Sequence, residues 1–169
     1  MINNDTIIRQ ANRLIRKYET RDPFRIAAQL GVNVMFTDKL HRLKGMYRVI
    51  KRSRFIILNK NNSEQWNRIV CAHELGHDLL HRHYAAGSTL RELSLFDLSN
   101  QQEYEANIFA ACLLLEDSEV LGLIEQGFNA EQIASATGSD INLVALKVDC
   151  LRGEGYDFRK QDHNAKFLK

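Results

Sequence analysis

The chain has 169 residues, 44% hydrophobic and 26% charged, with one Pro and nine Gly; this excludes wholesale disorder and collagen-like or linker-like sequence, and suits one ordinary globular domain or two small ones rich in helix. No apolar run approaches the roughly 18 to 20 residues of a membrane-spanning helix, the N-terminus lacks the basic start and apolar stretch of a secretory signal, and three Cys make an odd, sparse set, so the expected setting is a reducing cytoplasm without membrane association. The formal charge of +2 hides a split: residues 1–84 carry sixteen Lys/Arg against seven Asp/Glu and residues 85–169 carry seven against fourteen, or +9 against −7.

Ile7, Ile8, Ala11, Leu14, Ile15 and Tyr18 recur at helical spacing and predict an amphipathic helix over 5–19. Asp22-Pro23 then reads as an N-cap with proline at the first helical position, and Gly31 ends that short helix in the left-handed conformation. Val32, Val34 and Phe36 alternate as a strand, and Met46–Ile50 and Phe55–Asn59 flank the polar turn Lys51-Arg52-Ser53-Arg54. These strands predict a small antiparallel sheet. Ser63 caps a long helix to about Tyr84, with Trp66, Ile69, Val70, His73, His77, Leu80 and Tyr84 on its inward face, Trp66 as a core anchor. Ser99 with Gln102 forms a capping box for a buried helix through Leu115. Three short helices follow at 118–126, 130–137 (Asn129 to Gly138) and 141–151, and 153–169 reads as a polar tail. Cys71 and Cys112 fall in buried helices as small core residues.

His73-Glu74-Leu75-Gly76-His77 is an HExxH motif. Residues four apart on a helix are roughly 40° out of phase, so both imidazoles can hold one metal ion while the adjacent glutamate faces its water. Two hydrogen-bonded core histidines are the plain alternative, but a strongly periodic helix that turns both toward the interior favours zinc. A catalytic zinc needs a third protein ligand. His83 stands at the metzincin interval from His77, but position 80 is Leu rather than the glycine that turns the chain, and on a continuing helix His83 lies roughly 240° around. His81 is one turn beyond His77 and suits contact with a ligand or with substrate better than closing the tetrahedron. Glu103, on the next helix, is the gluzincin arrangement, with Asn107 one turn on to hydrogen-bond a ligand histidine. Glu105 remains the alternative ligand, although it points roughly 200° from Glu103 and reads as a surface carboxylate.

In the order and spacing of several segments the chain resembles the ImmA/IrrE metallopeptidases over residues 5–151. The segments are Asp22-Pro23 with Ile26-Ala27 and Leu30-Gly31-Val32, Lys44-Gly45, His73 to His77 with Leu79-Leu80-His81, Glu103 to Ala110, Leu113 to Leu115, and Ile133-Ala134 with Thr137-Gly138. Position 116, usually proline in the family, is Glu116, which loosens the turn there. The resemblance implies an α+β protein: a mainly helical zincin-like metallopeptidase core with a small antiparallel sheet over 1–116, a helix-turn-helix-like C-terminal module over 117–152, and the tail. It also implies a zinc endopeptidase, one Zn2+ per chain, that cleaves a helix-turn-helix (XRE-like) repressor and so derepresses a mobile element, phage or stress-response locus.

The expected chemistry has His73, His77 and Glu103 holding zinc, which lowers the pKa of a bound water to about 7, and Glu74 moving its proton. His81, Tyr84 and Tyr47 are candidates for stabilising the oxyanion or contacting substrate, and a substrate strand is expected to add beside Phe55–Asn59. A DNA-binding regulator and an antitoxin-like partner acting by stoichiometric binding are the rivals. Residues 130–151 have helix-turn-helix spacing, yet 141–151 offers only Lys147 as a basic residue, less than a DNA reader carries. The run from Lys39 to Lys60, with eight Lys/Arg and no acid, reads first as steering for an acidic, extended stretch of substrate.

Overall fold

The computed structural model describes residues 2–82 and 100–158. Among these are seven helices and a three-stranded sheet. Helix α1 (Asn4–Tyr18) is capped by the Asn3 side chain, which accepts from the Asp5 N–H, and buries Ile7, Ile8, Ala11 and Leu14. Each large member of that stripe contributes about 1.5–3 kcal/mol by leaving water. Helix α2 (Pro23–Gln29) starts at the Asp22 cap, and Gly31 turns the chain out of it at φ +70. Strands β1 (Val32–Thr37), β2 (Gly45–Ile50) and β3 (Ser53–Asn59) follow.

The sheet is mixed, not antiparallel: its order is β1-β3-β2, with β1 parallel to β3 and β2 antiparallel to it. The β2–β3 hairpin folds back so that β3, with Ile56 and Leu58 fully buried, occupies the middle. Its turn is the two residues Lys51 and Arg52, both left-handed (φ 47 and 68), and Ser53 and Arg54 belong to the strand. A central β3 has no free edge for a substrate strand at Phe55–Asn59. Among the described strands the edges are β1 and β2, and at β2 the Asn59 N–H bonding to Lys44 O at 2.9 Å sets the phase. Lys44, Met46, Arg48 and Ile50 therefore turn their main-chain groups to β3, while Gly45, Tyr47 and Val49 turn theirs outward.

Helix α3 (Glu64–Leu80), capped by Ser63, lies under the sheet, and Gly45 marks the contact, since a Cβ there would clash with Val70 Cγ1. The helix ends four residues before Tyr84, with His81 as its C-cap at φ −125; Tyr84 and His83 lie outside the described residues. Helix α4 (Gln101–Leu114) is capped by Asn100, whose side chain accepts from the Gln102 N–H; Ser99, expected in that role, is also outside the described residues. Arg21 closes the other end of α4, with Nη1 donating to Cys112 O and Leu113 O at 3.1 Å each, a cation on bare helix carbonyls. Helices α5 (Asp117–Glu125), α6 (Ala130–Thr137) and α7 (Ile141–Gly153) complete the described chain, and one apolar core runs from Ile7 to Leu151. Glu116 has φ −79, a value proline shares, after an extended Leu115, so the turn is made without the ring.

Candidate metal centre

Helices α3 and α4 meet at Gly76, inside the HExxH segment. A Cβ there would stand 3.1 Å from Ala106 Cα and 3.2 Å from Ala106 O, so only glycine lets the two backbones come this close. That approach sets His73 and His77, one turn apart on α3, against Glu103 in the first turn of α4. His73 Nε2 lies 3.1 Å from Glu103 Oε2, His77 Nε2 lies 3.1 Å from Glu103 Oε1, and the two Nε2 atoms are 3.1 Å apart. All three residues are buried.

The arrangement fits a metal ion better than an ion pair. Both Glu103 oxygens are buried without a hydrogen bond of proper geometry, although imidazole nitrogens stand beside them. A buried carboxylate left so is costly. Separations of 3.1 Å are instead close to the edge of about 3.3 Å of a tetrahedron with ligands about 2.0–2.1 Å from its centre. Two imidazoles and a carboxylate are the donor set of a catalytic zinc with an open fourth position. Burial alone would raise the Glu103 carboxyl, but contact with His73 and His77 holds it down at about 2, so it is an anion available to a cation.

Hydrogen bonds behind the centre turn both histidines the right way. His73 Nδ1 donates to Asn107 Oδ1 at 2.8 Å, which leaves the Nε2 lone pair facing inward. On the other side His81 Nε2 donates to Glu105 Oε2 at 2.9 Å, so the neutral His81 offers Nδ1 as an acceptor to His77 Nδ1–H at 3.1 Å. Burial, with His77 nearby, outweighs Glu105 and lowers the His81 pKa, which keeps that imidazole neutral. Glu105 is therefore no surface carboxylate: it is buried, and it also accepts from Gln101 Nε2 at 2.7 Å and the Ile2 N–H at 2.8 Å. Its angle on the helix does turn it from Glu103, but toward the next turn of α3. Sequence reading missed this because His81 and Glu105 face each other only once the helices are crossed.

Glu74 is buried next to the centre. Loss of hydration pushes its pKa up, opposed by His73 and His77 and by the main-chain N–H of Tyr47 near its carboxylate. The free edge of β2 thus reaches the site through its backbone. The Tyr47 side chain does not: it is fully buried, and its hydroxyl donates to Asp78 Oδ1 at 2.6 Å. Asp78 also receives Arg54 Nη1 at 2.8 Å and Arg82 Nη2 at 3.1 Å, a buried anion satisfied by three donors that ties the sheet to α3. No spacing rule in the sequence announces that cluster.

Lys147, the one basic residue expected on a recognition helix, is 3% exposed and paired with Asp117, so it cannot reach a phosphate backbone. Cys112 and Cys150 are buried with their sulfurs 4.0 Å apart between α4 and α7, and Cys71 is also buried, as core residues. No helix among the described residues is long and apolar enough to cross a membrane.

Comparison with known proteins bears on the family of the chain. Residues 2–148 match the peptidase family described as the IrrE N-terminal-like domain. The chain is 36% identical over 143 residues to an uncharacterized immunity region protein of Bacillus phage phi105, covering 84% of this chain and 89% of that one. It is 29% identical over 125 residues to the metallopeptidase ImmA of Bacillus subtilis (strain 168), covering 72% of each.

Proposed function

The chain belongs to the peptidase family of the IrrE N-terminal-like domain, and from that premise we propose that it is a zinc-dependent endopeptidase that cuts a helix-turn-helix repressor and so relieves repression of a phage, mobile element or stress-response locus. The observation that carries the reading is the Glu103 carboxylate, buried without hydrogen bonds between His73 and His77 and next to Glu74. A structural zinc site has no use for a general base or for an open ligand position. The immunity-region relative and ImmA support a substrate in phage regulation.

In this reading His73, His77 and Glu103 hold the ion, which when bound polarises the scissile carbonyl and acidifies water. Glu74 is the general base and then the acid: its carboxylate takes a proton from the attacking water and delivers it to the leaving amine. Burial raises its pKa toward the range in which one group can do both. Asn107 and the His81–Glu105 pair hold the ligand imidazoles in their tautomers. An extended segment of substrate pairs with the outward main-chain groups of Gly45, Tyr47 and Val49 on β2, which brings a peptide bond to Glu74. Helices α6 and α7, with Gly138 at φ 58 between them, form a docking module rather than a DNA reader, given the engaged Lys147.

The family resemblance implies a helix-turn-helix repressor encoded beside this chain, and the test is cleavage of that repressor by purified protein with zinc. Wild type is expected to yield two fragments, and Glu74→Gln to bind the same amount of zinc and yield none. Cleavage retained by Glu74→Gln would remove the assigned base, and a stable complex without fragments from wild type would favour stoichiometric binding.

A further inference from the structure

The inner face of the sheet is covered by α2 and α3, and its outer face is not covered by any described element. The register places Met35 of β1, Phe55 and Ile57 of β3, and Met46 and Ile50 of β2 on that outer face. Met35 is 51% and Ile50 50% exposed, and none of the five packs on the main core. An apolar patch of this kind on a sheet normally takes a second layer. Charge surrounds it: Arg48 stands between Met46 and Ile50, Lys51 and Arg52 form the hairpin tip at one end, and Lys39 and Arg42 lie in the β1–β2 connection at the other. None of these five cations forms an ion pair among the described residues, and Asp38 is the one acid beside them in sequence. Lys51 and Arg52 both sit in the left-handed region, where Asn-Gly would be lower in energy, so charge is kept there against a backbone cost.

We propose that this outer face is an exosite that docks an acidic amphipathic helix of the substrate protein, apart from the metal centre. The inference rests on the proteolytic reading above and extends it to how the substrate is chosen. Three strands about 4.8 Å apart make a face about 10 Å wide and about 20 Å long, the footprint of one helix of about thirteen residues. A helix suits a face, whereas an extended segment suits the β2 edge, so one partner can use both at once. A second copy in a two-fold dimer would set the same unpaired cations against each other. The apolar centre fits the buried stripe of a helix, and the basic ends fit its acidic flanks.

The experiment uses the cleavage-dead Glu74→Gln chain with methyl-labelled methionine, whose reporters on this face are Met35 and Met46 of three methionines in all. Adding the repressor encoded beside the chain is expected to shift both methyl signals. The double variants Met35→Ser/Ile50→Ser and Arg48→Glu/Lys51→Glu should each weaken binding by about tenfold, the second less so at high salt. In an otherwise wild-type chain they should leave cleavage of a short peptide spanning the cut bond within about twofold, with unfolding temperature and zinc content as fold controls. The exosite is overturned by unshifted methyls, by equal losses on peptide and repressor, or by methyls that a soluble nitroxide cannot reach in the free chain. The same shifts from a 20-base-pair duplex or from anionic vesicles also overturn it, assigning the face to nucleic acid or membrane. A wild-type chain that never cuts the repressor refutes the proteolytic reading instead, and the methyl shifts still decide whether the face binds.

Discussion

Gly76→Ala adds one methyl group where α3 and α4 touch. The new Cβ would lie 3.1 Å from Ala106 Cα, 3.2 Å from Ala106 O and 3.3 Å from Phe109 Cδ1, so two of three neighbours are backbone and cannot rotate away. Alanine gains about 1 kcal/mol of helix propensity over glycine, whereas overpacking costs about 1–3 kcal/mol. The balance is a loss of about 1 kcal/mol, or about 2–4 °C in the unfolding temperature of the metal-free chain. Zinc affinity should suffer more. Relief requires α4 to move by a few tenths of an ångström, Glu103 moves with it, and metal sites tolerate about 0.2 Å, so affinity should fall by at least about tenfold. Thermal unfolding and competition with a chromophoric chelator measure the two effects. Gly122→Ala in α5 is the control: a Cβ there meets nothing within 4 Å, so it should gain about 0.5–1 kcal/mol and leave zinc binding alone. A Gly76→Ala chain that also gained stability and kept its affinity would refute the close approach of the two helices.

Tyr47→Phe removes one of three donors to buried Asp78 and should cost about 1–2 kcal/mol, while turnover by the folded protein stays unchanged; a hundredfold fall in kcat would put the hydroxyl in the chemistry after all. Asn107→Ala frees His73 Nδ1 and should weaken zinc binding by about 10–100-fold with the fold intact. An unaltered chelator competition curve would mean that Asn107 does not set the tautomer. Arg52→Gly relieves a left-handed non-glycine residue at the hairpin tip and should stabilise the chain by about 0.5–1 kcal/mol. A lower unfolding temperature would instead show that the arginine side chain makes up for its backbone.

Local rules carried well wherever a feature is contained in one element. Asp22 before Pro23 and Asn129 before Ala130 each sit at a helix start because the capping side chain reaches only two or three residues along its own chain. Features set by neighbours in space were harder to read. Alternation along Phe55–Asn59 identifies a strand but not that it is central, since the same alternation suits an edge. The angular position of Glu105 on α4 is right, yet whether that direction is solvent or His81 depends on how α3 crosses it.

The centre divides in the same way. His73 and His77 share a direction because of the 3.6-residue turn, and Glu74 is beside them by covalent connection, so these relations are properties of the sequence itself. So is the basic run from Lys39 to Lys60. The tertiary structure alone decides that Glu103 faces the two imidazoles at 3.1 Å, that the Tyr47 backbone rather than its hydroxyl meets Glu74, and that an apolar sheet face stands among the cations. Each depends on surfaces far apart in the chain coming together, and their separation is fixed by packing, where Gly76 of α3 meets α4 and Gly45 of β2 meets α3 and the absence of a single Cβ sets the distance.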